Sequence, residues 1–206
     1  MPHIAPEPLL HSVALDALRP TQMTVGLAEV ARKREEWSGR DDADRPDFLG
    51  RHMIPVVVGP KGRRWMVDHH HLARALHDEG VLHILVSVVA DLSHLKADAF
   101  MTYMDNRNWL HPFDDTGHRQ DYKAIPKHIG KLTDDPYRSL AGQLRRMGGY
   151  AKVDILYAEF LWASFLRDRI KASRLRDDFD GCVDKALVLA RSAHAAHLPG
   201  WAGRAD

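Results

Sequence analysis

The segment IPVVVGPKGRRWMVDHHHLARALHDEGVLHILVSVVAD, residues 54–91, constrains the fold more than any other stretch. Its β-branched run Ile54 to Val58 and the run Arg64 to Val67 flank Gly59-Pro60-Lys61-Gly62. Glycine and proline supply the dihedrals of a tight turn, so the two runs predict a β-hairpin. Asp68 then stands as an N-cap, and Leu72, Ala75 and Leu76 recur at helical spacing until Gly80 stops the helix. The run 84–92 is continuously apolar and predicts a third strand, buried on both faces. A strand, strand, helix, strand unit implies an α+β fold with a small mixed sheet.

The flanking sequence fills in the rest. Residues 1–24 are Pro-rich and predict a surface-wrapping segment in which Val13, Leu15 and Leu18 form a short apolar strand or turn. Val25, Ala28, Val30 and Ala31 predict a helix over 24–37, residues 38–47 a polar loop, and Phe48 to Arg51 one more helical turn. Beyond Leu92 the character is helical: 96–104, 124–132 and 139–147 predict short helices, with the polar loop NRNWLHPFDDTGHRQ after the first. Ile155, Glu159, Trp162, Leu166 and Ile170 predict one face of a long helix, and Val183, Ala186, Leu187 and Ala190 a face of the last. The expected organisation is a small α/β domain over 1–105 and a helical extension over 106–206 packed on it.

Composition removes several classes of function. With 206 residues and 45% hydrophobic content the chain is long enough to bury a real core, and a disordered or collagen-like chain is excluded. Lys plus Arg number 29 against 28 Asp plus Glu, so any contact with nucleic acid has to come from a local patch. The single cysteine, Cys182, can form neither an internal disulfide nor a cysteine zinc cluster. The first twenty residues lack a signal-peptide pattern and no segment has the length of a membrane span, so a cytoplasmic protein without membrane contact is expected.

The three consecutive histidines are the leading site candidate, and three readings stand. With Asp68 as cap, His69, His70 and His71 occupy the first helical positions, where backbone amides lack intrahelical partners and the helix dipole favours an anion. The imidazoles add donors to phosphate oxygens. Alternatively two of the three, with Asp68 or a distant carboxylate, bind a metal. Adjacent helical residues diverge too far for all three to meet one ion, and the i, i+4 partner of an HExxH pattern is missing. In the third reading the triplet is a solvated first turn.

The hairpin IPVVV…RRWMV, the turn DHHHLARAL and the strand ILVSVVAD resemble the ParB and sulfiredoxin superfamily, in its ParB-like nuclease branch. The segments LTDDPYRSLAGQLRRMGGYAK and YAEFLWASFLR resemble the helical second half of the same branch. In relatives the turn reads like GERR in partition proteins or DGHHR in free serine kinases, and it wraps nucleotide phosphates at the helix N-terminus. Asp68, His70 and His71 match the latter pattern, and Ala75 matches its small helical residue. His69 stands where those relatives have glycine, and Leu72 where they have arginine.

The resemblance implies a phosphate or nucleotide ligand, with a nucleotide and magnesium as the implied cofactors and phosphoryl transfer or phosphodiester hydrolysis as the reaction. It makes Asp68, His70 and His71 the catalytic candidates, with His69 among the ligand-binding residues. Arg19-Pro20-Thr21-Gln22 resembles the opening segment that crosses the nucleotide pocket, which adds Gln22. A stretch beginning Glu-Asn in partition proteins lies across the nucleotide, which adds Asn106 and Arg107. A non-enzymatic DNA-partition or regulatory module and a metal-dependent nuclease are the alternatives, with nucleic acid as partner. Sulfiredoxin-type thiol catalysis is disfavoured, because the turn holds no cysteine.

Three further features need a structure to place them. Glu159 lies on an apolar stripe, so it is either at the rim or buried with an arginine or histidine, the turn histidines included. Arg138, Arg145, Arg146 and Lys152 face either a phosphate or solvent. His194 and His197 sit three residues apart near the C-terminus.

Overall fold

The computed structural model describes residues 11–203. The architecture is mixed α+β, with seven strands and eight α-helices among the described residues. In chain order these are β1 (His11–Ala14), β2 (Leu18–Arg19), β3 (Thr24–Val25), α1 (Leu27–Ser38), α2 (Arg45–Arg51), β4 (Ile54–Val58), β5 (Arg64–Met66), α3 (His70–Asp78), β6 (His83–Asp91) and α4 (Ala97–Asn106). There follow β7 (Thr133–Asp134), α5 (Pro136–Arg146), α6 (Ala158–Arg167), α7 (Ala172–Asp177) and α8 (Phe179–Ala190). No described helix is long and apolar enough to cross a membrane. The expectations for residues 1–10 lie outside the described residues.

The chain divides into two compact units. The first comprises the residues up to 23, 30–113 and 119–132; the second comprises 24–29, 114–118 and 133 onward.

In the first unit a five-stranded sheet runs in the order β1-β6-β4-β5-β2. The hairpin forms as the sequence predicts, with β4 and β5 antiparallel and Val56 opposite Met66. Its turn places Lys61 and Gly62 at φ of 62° and 68°, which explains the glycine at the second position. Gly59 has a different reason: a Cβ there would come within 2.7 Å of the Phe100 ring, so α4 packs directly on the turn. β6 lies parallel to β4, with Ile54 opposite Val86, and the helix between them is α3. That helix buries Leu72, Ala73, Ala75 and Leu76, the residues at helical spacing. Beneath α4, Val57, Phe100, Met104, Leu110 and Ile125 form a second small core.

β6 departs from expectation. Ile84 and Val86 are buried, but Val88 and Val89 are 43% and 48% exposed. Among the described residues β1 pairs only with His83 to Val86. The helix expected over 124–132 is instead two 3-10 turns, Tyr122–Ala124 and Ile129–Lys131, with Pro126 between them. Proline lacks the amide that an α-helix would need there.

In the second unit β3 and β7 pair in parallel, and α5, α6 and α8 pack around Leu140, Leu144, Trp162, Phe165, Leu166, Cys182 and Ala186. Tyr150 stacks on Trp162 at 4.4 Å. The long helix expected through residues 155–170 is shorter. Tyr157 takes a left-handed backbone at φ 61° and the helix starts after it, which leaves Ile155 55% exposed and Ile170 buried beyond the C-terminus. α7 has no counterpart in the sequence expectations.

Candidate functional site: the histidine turn

β5 delivers the chain to Met66, two residues before the turn, and α3 begins at His70. The expected cap is corrected here. His69, not Asp68, is the N-cap residue, and it adopts the left-handed conformation at φ 64°, ψ 26°. Asp68 is instead turned back on the chain, its Oδ1 accepting from the His69 amide at 2.6 Å. That bond occupies the carboxylate that would otherwise reach into the first turn, so His70 and His71 open the helix. Left-handed backbone costs a non-glycine residue about 1–2 kcal/mol, although histidine enters it more readily than most. His69 thus takes a backbone geometry that glycine adopts most readily.

The three imidazoles have different environments. His70 is 2% exposed, and its Nε2 accepts the Thr21 amide at 3.1 Å. The Thr21 hydroxyl lies 3.3 Å from the same nitrogen but donates to the Met66 carbonyl at 2.7 Å. With a backbone N–H pointing at it, Nε2 is the bare nitrogen, and the neutral ring carries its proton on Nδ1. His70 therefore fastens the Thr21 strap to the turn. His71 is half-buried in the first helical turn.

His69 is also partly buried, and burial lowers its pKa from the ordinary imidazole value. The neighbouring Asp68 and a hydrogen bond to the His52 backbone oppose that shift, whereas the charges of Lys33 on α1 and of the His52 ring at the end of α2 reinforce it. Its Nδ1 is buried without a hydrogen-bond partner among the described residues.

Gln22, 8% exposed, continues the strap and bridges in parallel to His111, whose amide donates to the Thr21 carbonyl at 2.8 Å. The strap thus touches the histidine turn on one side and the loop after α4 on the other. Asn106 and Arg107 are solvent-exposed at the C-terminal end of α4, with the Arg107 guanidinium 5.1 Å over Trp109. It is His111, four residues beyond Arg107, that the structure joins to the strap. Sequence reasoning missed Thr21, Lys33 and His52, which only tertiary contacts bring to the turn. Thr21 was within reach, since it precedes Gln22 in the RPTQ segment.

Among the described residues no three His, Cys, Asp or Glu side chains are grouped to hold a metal ion. A magnesium ion at this turn would have the Asp68 carboxylate as its one acidic ligand from the turn and would have to draw its other oxygens from water and a phosphate ligand.

The second unit settles the remaining candidates. Glu159 is partnered by arginines of α5, Arg138 at 3.3 Å and Arg145 at 3.9 Å. Arg138 is 3% exposed, donates to the Thr24 carbonyl at 2.6 Å and lies over the Phe160 ring. Arg146 pairs with the buried Glu29. These three arginines therefore face carboxylates, not solvent alone. Asp135 caps α5 through the Tyr137 amide and pairs with Arg167 at 2.5 Å. Burial raises the pKa of Asp135, and Arg167 offsets the shift only in part. His194 lies in a terminal 3-10 turn, and His197 stands edge-on to Phe165.

A hairpin feeding a helix that opens on a left-handed residue, with an upstream strap fastened to its first turn, is the frame of the candidate site. The family described as "Putative ParB-like nuclease" matches residues 11–168, and the chain belongs to it. The crystal structure of protein Atu1540 from Agrobacterium tumefaciens is similar throughout. The two are 52% identical, with a TM-score of 0.91 over 98% of this chain and 100% of that one. No curated protein matches the sequence.

Proposed function

We propose that the protein binds a phosphate-bearing ligand of the nucleotide class at the start of α3, and that its reaction is phosphoryl transfer or phosphodiester hydrolysis. The observation that carries this reading is the left-handed backbone of His69 at the N-cap. Strain of this kind persists where surrounding structure holds it, and it collects at ligand clamps. In this reading the opening of α3, with its dipole, holds the ligand beside His69 and His71, while His70 and Thr21 lock the strap. Lys33, whose charge disfavours protonated His69, is the cation this reading assigns to the ligand in place of an arginine at Leu72. Asp68 is the group placed to share magnesium with the ligand.

Calorimetry against a panel of nucleotides, with and without magnesium, tests the reading. Binding that weakens about tenfold or more in His71→Ala is expected, from the loss of a charge-assisted donor. Silence across the whole panel under both conditions overturns it.

The family description also supports a nucleic-acid-related function, and a second reading assigns it to the same turn. In that reading the phosphate belongs to a strand, and plasmid nicking that is lost in His71→Ala and Asp68→Ala is the expected result.

A further inference from the structure

α6 opens on a break that leaves apolar side chains in water. Ile155 stands seven residues before Trp162 and eleven before Leu166, the spacing of one helical face, and those two side chains are fully buried. A helix continued back from Ala158 would carry Ile155 onto that buried face. It does not continue, because Tyr157 takes φ 61°, ψ 18°, a conformation that a bulky side chain rarely adopts. The Ala158 amide instead closes a turn on the Ile155 carbonyl at 3.2 Å. Three large apolar residues are exposed as a result: Ile155 at 55%, Leu156 at 61% and, one turn into α6, Leu161 at 46%. Apolar side chains scattered singly over a surface are ordinary, whereas a group held out by a strained residue marks an interaction surface.

The group stands on a fixed base. Phe160 meets the Tyr157 ring edge-on at 5.4 Å and lies beneath the Arg138 guanidinium at 3.9 Å, and Trp162 donates through Nε1 to the Pro199 carbonyl at 2.8 Å. Little order has to be gained when a partner docks, which lowers the entropic cost.

The neighbouring charges select the partner. Lys152 and Asp154 are exposed, opposite in sign and without an ion-pair partner among the described residues, whereas Glu159 is already matched by Arg138 and Arg145. An anionic membrane would call for a basic border, and a strongly charged protein for a border of the opposite sign. A border that carries both signs two residues apart complements itself. In a two-fold contact each pairing occurs twice, so Lys152 of each copy stands beside Asp154 of the other while the apolar side chains close together.

We propose that residues 152–161 form the interface of a homodimer, with Ile155, Leu156 and Leu161 buried against a second copy of the chain. The proposal is independent of any ligand at the histidine turn.

The test is sedimentation velocity of the full chain over a wide range of concentration. A dimer in equilibrium with monomer is expected. Leu156→Asp raises its dissociation constant about tenfold or more, and Leu161→Asp acts in the same direction. Lys152→Asp weakens the dimer, and adding Asp154→Lys to it restores the dimer, because the exchange keeps the two signs opposed across a two-fold axis. Leu82→Asp, at an apolar residue 74% exposed outside this segment, leaves the dimer intact. Thermal melting confirms that each variant is folded, and Ile155→Asp replaces any of the leucine variants that is not. A chain that stays monomeric at every concentration overturns the proposal, as does a dimer indifferent to both Leu156→Asp and Leu161→Asp. So does co-sedimentation of a monomeric chain with phosphatidylserine vesicles that is lost in Leu156→Asp, since that result makes the segment a membrane contact.

Discussion

The two units bury polar groups in opposite ways. In the second, charge answers charge: Arg138 and Arg145 meet Glu159, Arg146 meets Glu29, and Arg167 meets Asp135. In the first, the polar interior of the histidine turn is uncharged. His70 is a neutral acceptor, Thr21 gives both its protons to neighbours, and burial favours neutral His69. A saturated network of ion pairs has its partners already and serves to hold helices in register. A neutral turn with a strained backbone keeps its capacity for an outside anion, and that difference is why the histidine turn, not the more conspicuous arginine cluster, is the candidate site.

The sharpest way to break this contrast is Arg138→Met. Removing one member of a buried pair leaves the other uncompensated, at a cost of about 3–5 kcal/mol, somewhat less here because Glu159 retains Arg145 and some solvent. Urea unfolding should show that loss, while the remaining folded protein binds nucleotide as before. A stable Arg138→Met variant that no longer binds ligand would move the site to the second unit.

The next test concerns the strain. His69→Val places a β-branched residue at positive φ and should cost about 2 kcal/mol in urea unfolding, with ligand binding lost. His69→Gly keeps the backbone and should alter stability by less than about 1 kcal/mol with binding largely retained. Equal behaviour of the two variants would mean that the left-handed conformation is incidental.

These residues also mark where the sequence stops being readable. The hairpin, α3 and the strand after it were legible because each is signalled locally: β-branched runs, a Gly-Pro turn and apolar residues at helical spacing. The conformation of His69 was not, since three histidines after an aspartate read as an ordinary capped turn, and only the Asp68 carboxylate folding back on the next amide shifts the start of α3. The early break at Tyr157 was hidden for the same reason: a left-handed residue leaves no trace in hydrophobic period. The hydrogen bond of Thr21 with His70 and the electrostatic effects of Lys33 and His52 on His69 join residues from separate elements, and no spacing rule announces them.

The smallest expected effect is a dependence on pH that the first unit should show at the turn. Burial, against the opposing pull of Asp68, lowers the pKa of folded His69 below the unfolded value of 6.5. On acidification the unfolded chain therefore takes up its proton first. The stabilisation from keeping this ring neutral is fully present above about pH 6.5 and is lost as the pH falls through the unfolded pKa toward the lower folded one. Urea midpoints measured from pH 7.5 down to 5 should fall for the native sequence and fall less for His69→Gln, which keeps a polar side chain without the titration. If the two curves stay parallel, His69 is solvated rather than held neutral, and the electrostatic half of the contrast between the units fails.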